Sequence, residues 1–94
     1  MRTEVVGIYS DQSNAAILRH PGRKFPGVLV QGDTLHSLCL RADEACEGAK
    51  GLLQSDAYDE LDDLRNNLRS LLNHYKTVLV EHQLPLPFRD ASGA

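Results

Sequence analysis

The stretch Phe25–Leu35, FPGVLVQGDTL, decides the fold. Val28, Leu29 and Val30 form a short apolar run of the kind that fills a buried strand. Gly32 then frees the backbone to turn, and Asp33 can accept hydrogen bonds from the orphan N–H groups of a helix beginning at Thr34. The chain thus passes from strand to helix within one short segment. Everything before it is expected to be sheet and everything after it helical.

Upstream, Glu4–Tyr9 (EVVGIY) reads as a first strand and Ala15–Arg19 (AAILR) as a second. The polar cluster Ser10–Asn14 between them is a turn, which suggests a hairpin. Pro21 and Gly22 interrupt any ladder, so His20–Lys24 is a second loop. Pro26 and Gly27 add a break before the third strand, Val28–Gln31.

Downstream, Leu35, Leu38, Cys39, Ala42, Cys46 and Ala49 repeat at helical spacing and predict a first helix over Thr34–Glu47, stopped by Gly48 and Gly51. His36 stands three residues after Asp33, so no full capping box is present. A second, longer helix is expected over Asp56–His82. Its seam runs through Ala57, Leu61, Leu64, Leu68, Leu71, Tyr75 and Val78, alternating steps of three and four. Such a helix is ~40 Å long, more than a three-stranded sheet needs, so its excess could meet a second copy of the chain. Leu72 and Leu79 widen the apolar face. The expected fold is α+β: a three-stranded antiparallel sheet followed by two helices that cover one of its faces. Residues 1–88 make one domain and 89–94 a flexible tail.

The chain has 94 residues, 41% of them hydrophobic and 24% charged, an ordinary globular composition. No apolar run approaches the ~20 residues of a membrane span. The N-terminus lacks the apolar core of a signal peptide, so a cytoplasmic location is expected. Cys39 and Cys46 lie two helical turns apart, ~10 Å, beyond disulfide reach, and read as small buried hydrophobes.

The net charge of −3 conceals an asymmetry. Residues 1–32 carry four Lys/Arg against two Asp/Glu, residues 33–63 two against nine, and residues 64–94 four against two. The acidic middle suits a basic partner and disfavours nucleic acid. A solvated helix face favoured by the macrodipole is the alternative reading.

Asp56, Asp59, Glu60, Asp62 and Asp63 are the densest carboxylates and the candidate partner-binding residues. The four histidines lack the spacing that would place two imidazoles on one metal. The loop Arg19–Lys24, with Phe25 beside it, offers three cations and one stacking ring, a weak signal for nucleic acid. No nucleotide-binding, hydrolase or redox motif is present, and no enzyme, cofactor or metal is assigned.

PGVLVQGDTL (Pro26–Leu35), followed by a helix containing ADEA at Ala42–Ala45, resembles the HicB family of antitoxins, over about residues 4–48. The chain is also similar to small bacterial proteins that carry no assigned activity. The HicB resemblance implies part of a ribonuclease-H-like fold, in which Pro26, Gly27, Gln31, Gly32 and Asp33 are structural positions. It implies a non-catalytic protein that masks a toxin. The chain departs from the family in its basic loop before Pro26, in a long helix where a fourth strand is usual, and in having no appended DNA-binding segment. The leading expectation is an antitoxin or immunity-type inhibitor that blocks a cognate toxin's active site. The alternative is a self-associating structural or regulatory module with the second helix as its dimer interface.

Overall fold

A computed structural model describes residues 1–90 of the chain. Three antiparallel strands, β1 (Gly7–Ser10), β2 (Ala16–Arg19) and β3 (Gly27–Leu29), precede two helices, α1 (Gly32–Ala49) and α2 (Ser55–Glu81). This is the expected α+β order. The chain forms two compact units, Met1–Gln31 and a second beginning at Gly32.

In the first unit the sheet order is β1-β2-β3. Ile8 opposes Leu18 and Ser10 opposes Ile17, which leaves Tyr9 as an extra residue in β1, a bulge. On the other side Ile17 opposes Val28 and Leu18 opposes Gly27. Pro26 stands just before β3, where its missing N–H costs no ladder bond. The expectation of a buried third strand does not hold: Val28 and Leu29 are 59% and 53% exposed, and no residue of this unit is buried. Strands of three and four residues give too little area to enclose a core of their own.

The second unit is a helical hairpin whose fully buried side chains are Cys39, Cys46 and Leu72. Gly32, Cys39 and Cys46 recur every seven residues along α1, and all three are buried. Ala42 and Ala49 lie beside them, half-buried, so α1 presents small side chains. The facing row of α2, Tyr58, Leu61, Arg65, Leu68, Leu72, Tyr75 and Leu79, alternates steps of three and four and carries large ones. Large side chains set into a row of small ones bring two helices close together with few voids.

Gly32 shows how close the helices come. A Cβ built there would lie inside the Tyr75 ring. The glycine therefore makes room for an aromatic side chain and does not serve as a turn. α1 consequently starts two residues earlier than expected. Asp33 sits in its first turn and accepts a 2.9 Å hydrogen bond at Oδ1 from the Thr34 N–H, so it is not the cap before the helix. Asp33 still places negative charge at the helix N-terminus, where the macrodipole favours it.

Gly51 is the residue whose backbone does need glycine: with φ at +79° it follows α1 in the left-handed region. α2 ends differently. The Leu84 N–H donates to the Leu79 carbonyl at 2.9 Å and the Gln83 N–H to the Val80 carbonyl at 3.1 Å. That pair of bonds is a Schellman cap with Gln83 at the left-handed position, φ +58°.

Two stability measurements follow from this geometry. Gly32→Ala should lower stability in urea unfolding by about 1–3 kcal/mol, although Ala gains up to ~1 kcal/mol over Gly at an open helical site. Shortening Tyr75 to Leu in the same chain should relieve part of that loss. Gln83→Gly should raise stability by about 0.5–1 kcal/mol, because glycine takes the left-handed cap without a Cβ penalty.

Candidate functional site

The five carboxylates expected to bind a partner all lie in the first turns of α2, but they do not act as one group. Asp62 is half-buried and is held along α2 itself, where it forms an ion pair with Arg65 and accepts a 3.4 Å hydrogen bond from Asn66. Asp56, Asp59, Glu60 and Asp63 are exposed, and among the described residues none of these four has a hydrogen-bond or ion-pair partner. Asp56 and Glu60 are i,i+4 neighbours, as are Asp59 and Asp63. Each like-charge pair costs a few tenths of a kcal/mol, partly offset by the helix N-terminus.

Asp62 belongs to a polar cluster along the edge of the hairpin. Asp43 of α1 pairs with Arg69 and lies 3.9 Å from Arg65. Burial opposes the charge on Arg65, but the carboxylate and hydrogen bond of Asp62, with Cys46 and Asp43 nearby, hold its pKa above the ordinary value. The Arg65 Nε is buried without a hydrogen-bond partner. Burial raises the Cys39 thiol pKa; Arg69 and Lys76 work against that rise, and Asp43 adds to it. Cys39 and Cys46 are both free and buried, and the Cys46 Sγ lies 3.6 Å from the Leu61 carbonyl. A buried, protonated thiol is a packing group rather than a nucleophile.

The segment after α2 folds back along the hairpin. Phe88 stacks on His36 with ring centroids 4.0 Å apart and planes 4° from parallel, and its centroid lies 6.5 Å from that of Tyr75. Lys76 Nζ meets Asp90 at 3.3 Å. Asp90, part of the expected flexible tail, is thus held to α2, and residues 91–94 lie outside the described residues. A shallow concavity of about 530 Å³ lies beside α2, lined by Asn73, Lys76, Thr77, Val80, Leu86 and Asp90 among others. The cation there is already paired, and the Thr77 hydroxyl donates to the Asn73 carbonyl.

The loop His20–Lys24 is largely occupied with itself. Arg19 Nη1 donates to the Arg23 carbonyl at 3.1 Å, His20 Nδ1 accepts the Gly22 N–H at 2.9 Å, and Lys24 Nζ sits 5.5 Å from the centroid of Phe25. Phe25 itself is 72% exposed. Among the described residues no group of three or more His, Cys, Asp or Glu could hold a metal ion. No helix there is long and apolar enough to cross a membrane.

The structural positions implied by the resemblance are spread along one connection. Pro26 and Gly27 open β3, exposed Gln31 follows it, and Gly32 and Asp33 begin α1. Of the two glycines, Gly32 alone has a neighbour that a side chain would strike. The ion pairs of Asp43, Arg65, Arg69 and Lys76 are not legible in the sequence, because charged residues on an amphipathic helix read as solvated. The one available signal was the position of Arg65 in the same three-four register as Leu61, Leu68 and Leu72.

A family model matches residues 1–88, nearly the whole chain. The chain belongs to this family of unknown function, DUF6959. No curated protein and no solved structure matches it. Membership in DUF6959 thus covers the sheet, both helices and the docked Phe88.

The Cys39 thiol makes stability depend on alkaline pH. A pKa raised by folding means that the folded chain holds its proton more tightly than the unfolded one. This contribution is fully present below the ordinary thiol value of 9.0 and is lost as pH rises through the folded value. Urea midpoints should therefore fall above pH 9.0 in the native chain, and Cys39→Ala should show a shallower fall from a lower starting stability.

Proposed function

We propose that the chain is a non-catalytic inhibitor of the antitoxin or immunity type, binding a cognate bacterial toxin through a basic surface and blocking its active site. The observation that carries this reading is the set of exposed, unpartnered carboxylates Asp56, Asp59, Glu60 and Asp63 on the first two turns of a long helix. They repel one another without forming any ion pair, a cost that an opposing basic surface would relieve. The HicB-like segment Pro26–Leu35 supports the same class of function.

Asp62 is the fifth carboxylate of this face, and its pairing with Arg65 leaves it less available to a partner than the other four. Charged residues displayed in this way mainly accelerate encounter and select the partner, while apolar neighbours supply the holding energy. Exposed Leu64, adjoining Asp63 and Glu60, is placed to do so. In the cell the protein would act in the cytoplasm, alongside the toxin it restrains.

The test is co-expression in a bacterial host with the gene adjacent to its own. That gene should be toxic alone and harmless together with this chain, with which it should co-purify. Reversing Asp59, Glu60 and Asp63 to Lys should abolish rescue while helical circular dichroism is retained, since no side-chain hydrogen bond or ion pair of the described residues is lost and only the favourable charge at the helix N-terminus is given up. Full rescue by the reversed chain would remove the acidic face from the mechanism. A harmless neighbour that forms no complex would remove the inhibitor reading.

A further inference from the structure

The apolar seam expected along α2 divides in two in the structure. Leu61, Leu68 and Tyr75 are half-buried on the α1 side, whereas Leu64 and Leu71 are 56% and 60% exposed. Ala57, Leu64, Leu71 and Val78 form a row with a strict seven-residue repeat; by helical geometry Glu60, Asn67 and His74, with Asp63, Ser70 and Thr77 beyond them, lie on one side of it, and the half-buried Leu61, Leu68 and Tyr75 on the other. A seven-residue apolar row is one half of a heptad seam, and here the other half is the polar row Glu60, Asn67 and His74. None of the large leucines that face α1 is needed to form it.

The charges along this row select the occupant and its direction. Asp56, Asp59, Glu60 and Asp63 occupy the N-terminal turns, and from Leu64 to Val80 there is neither Asp nor Glu. A parallel copy would set these four carboxylates against their own counterparts. An antiparallel copy sets them against a stretch free of carboxylates, and it also aligns the two helix dipoles favourably. With a two-fold axis between Asn67 and Leu68, Leu64 meets the partner's Leu71, and Glu60 comes within one residue of level with the partner's His74. The helix is self-complementary about that one point, which is what an isologous dimer requires.

We propose that α2 pairs antiparallel with α2 of a second copy of this chain, through Leu64 and Leu71 about a two-fold axis between Asn67 and Leu68. The seam is a single row of four apolar residues, so the dimer is a weak one with a dissociation constant in the micromolar range. It uses Glu60 and Asp63, which also belong to the proposed toxin-binding face. Self-association and toxin binding would therefore compete, and the dimer would be the resting form. The dimer does not rest on the toxin-binding reading.

Sedimentation of the full chain alone, from low to several hundred micromolar, tests this. A monomer–dimer equilibrium is expected, weakened about tenfold or more by Leu71→Glu, with helical circular dichroism unchanged because Leu71 is exposed. Leu64→Gln, a milder change on the same row, should also weaken it and serves as the variant to read if Leu71→Glu loses helicity. Direction is read by oxidising single-cysteine variants in a Cys39→Ala, Cys46→Ala background that retains the native helical spectrum. A mixture of Leu64→Cys and Leu71→Cys chains should form mixed disulfide dimers faster than either chain links to itself. A wild-type chain that stays monomeric throughout would overturn the proposal. So would a dimer that tolerates both leucine substitutions, or faster self-linking of Leu64→Cys.

Discussion

The close approach of α1 to α2 at Gly32 and Tyr75 is the constraint on which the second unit depends. A side chain at Gly32 cannot coexist with the Tyr75 ring where it lies, so the ring's seat at this end depends on the absence of one Cβ. The same rule repeats at Cys39 and Cys46, seven and fourteen residues later, where thiols occupy positions that a leucine would overfill. At these three positions the bulk comes from α2, while Leu35 and Leu38 add large half-buried side chains from α1. Tyr75 in turn lies near Phe88, which stacks on His36, so the end of the hairpin is closed by the segment that follows it. One missing side chain thus couples the start of α1, the last third of α2 and the LPLPF segment.

The order of elements was legible because it depends on periodicity and on turn residues, both local. Pro21, Gly22 and Pro26 divide the strands where the structure divides them, and Gly51 ends the first helix by its backbone angle. Gly32 was misread for a physical reason: a glycine that turns the chain and a glycine that admits a ring look identical without the ring's position. The seam of α2 was misread for a related one. Two interleaved registers, Leu61–Leu68–Tyr75 and Leu64–Leu71–Val78, fit the same three-four alternation, and Arg65 within the packed register hides it. Val28 and Leu29 were read as buried from composition alone, but a strand is buried by what covers it.

The charges divide along the same lines. Asp43, Asp62, Arg65 and Arg69 form a polar cluster along the hairpin edge, each held by an opposite charge. Partly exposed ion pairs contribute little net stability, so their effect is mainly to fix the register of the two helices. The four carboxylates left over at the start of α2 make no side-chain hydrogen bond or ion pair with the described residues; the helix N-terminus alone favours them. Both partners proposed for α2 would use this exposed charge.

Each of these readings requires α2 to be a preassembled rod, ordered before any partner arrives. Native-state hydrogen exchange tests that directly. The account predicts that amides of Cys39–Cys46 and of Leu68–Leu79 exchange only through global unfolding, slower than any amide of β1 to β3. Exchange of those helical amides as fast as that of the loop at His20–Lys24 would contradict it, and would mean that the hairpin is not held by the Gly32–Tyr75 seam.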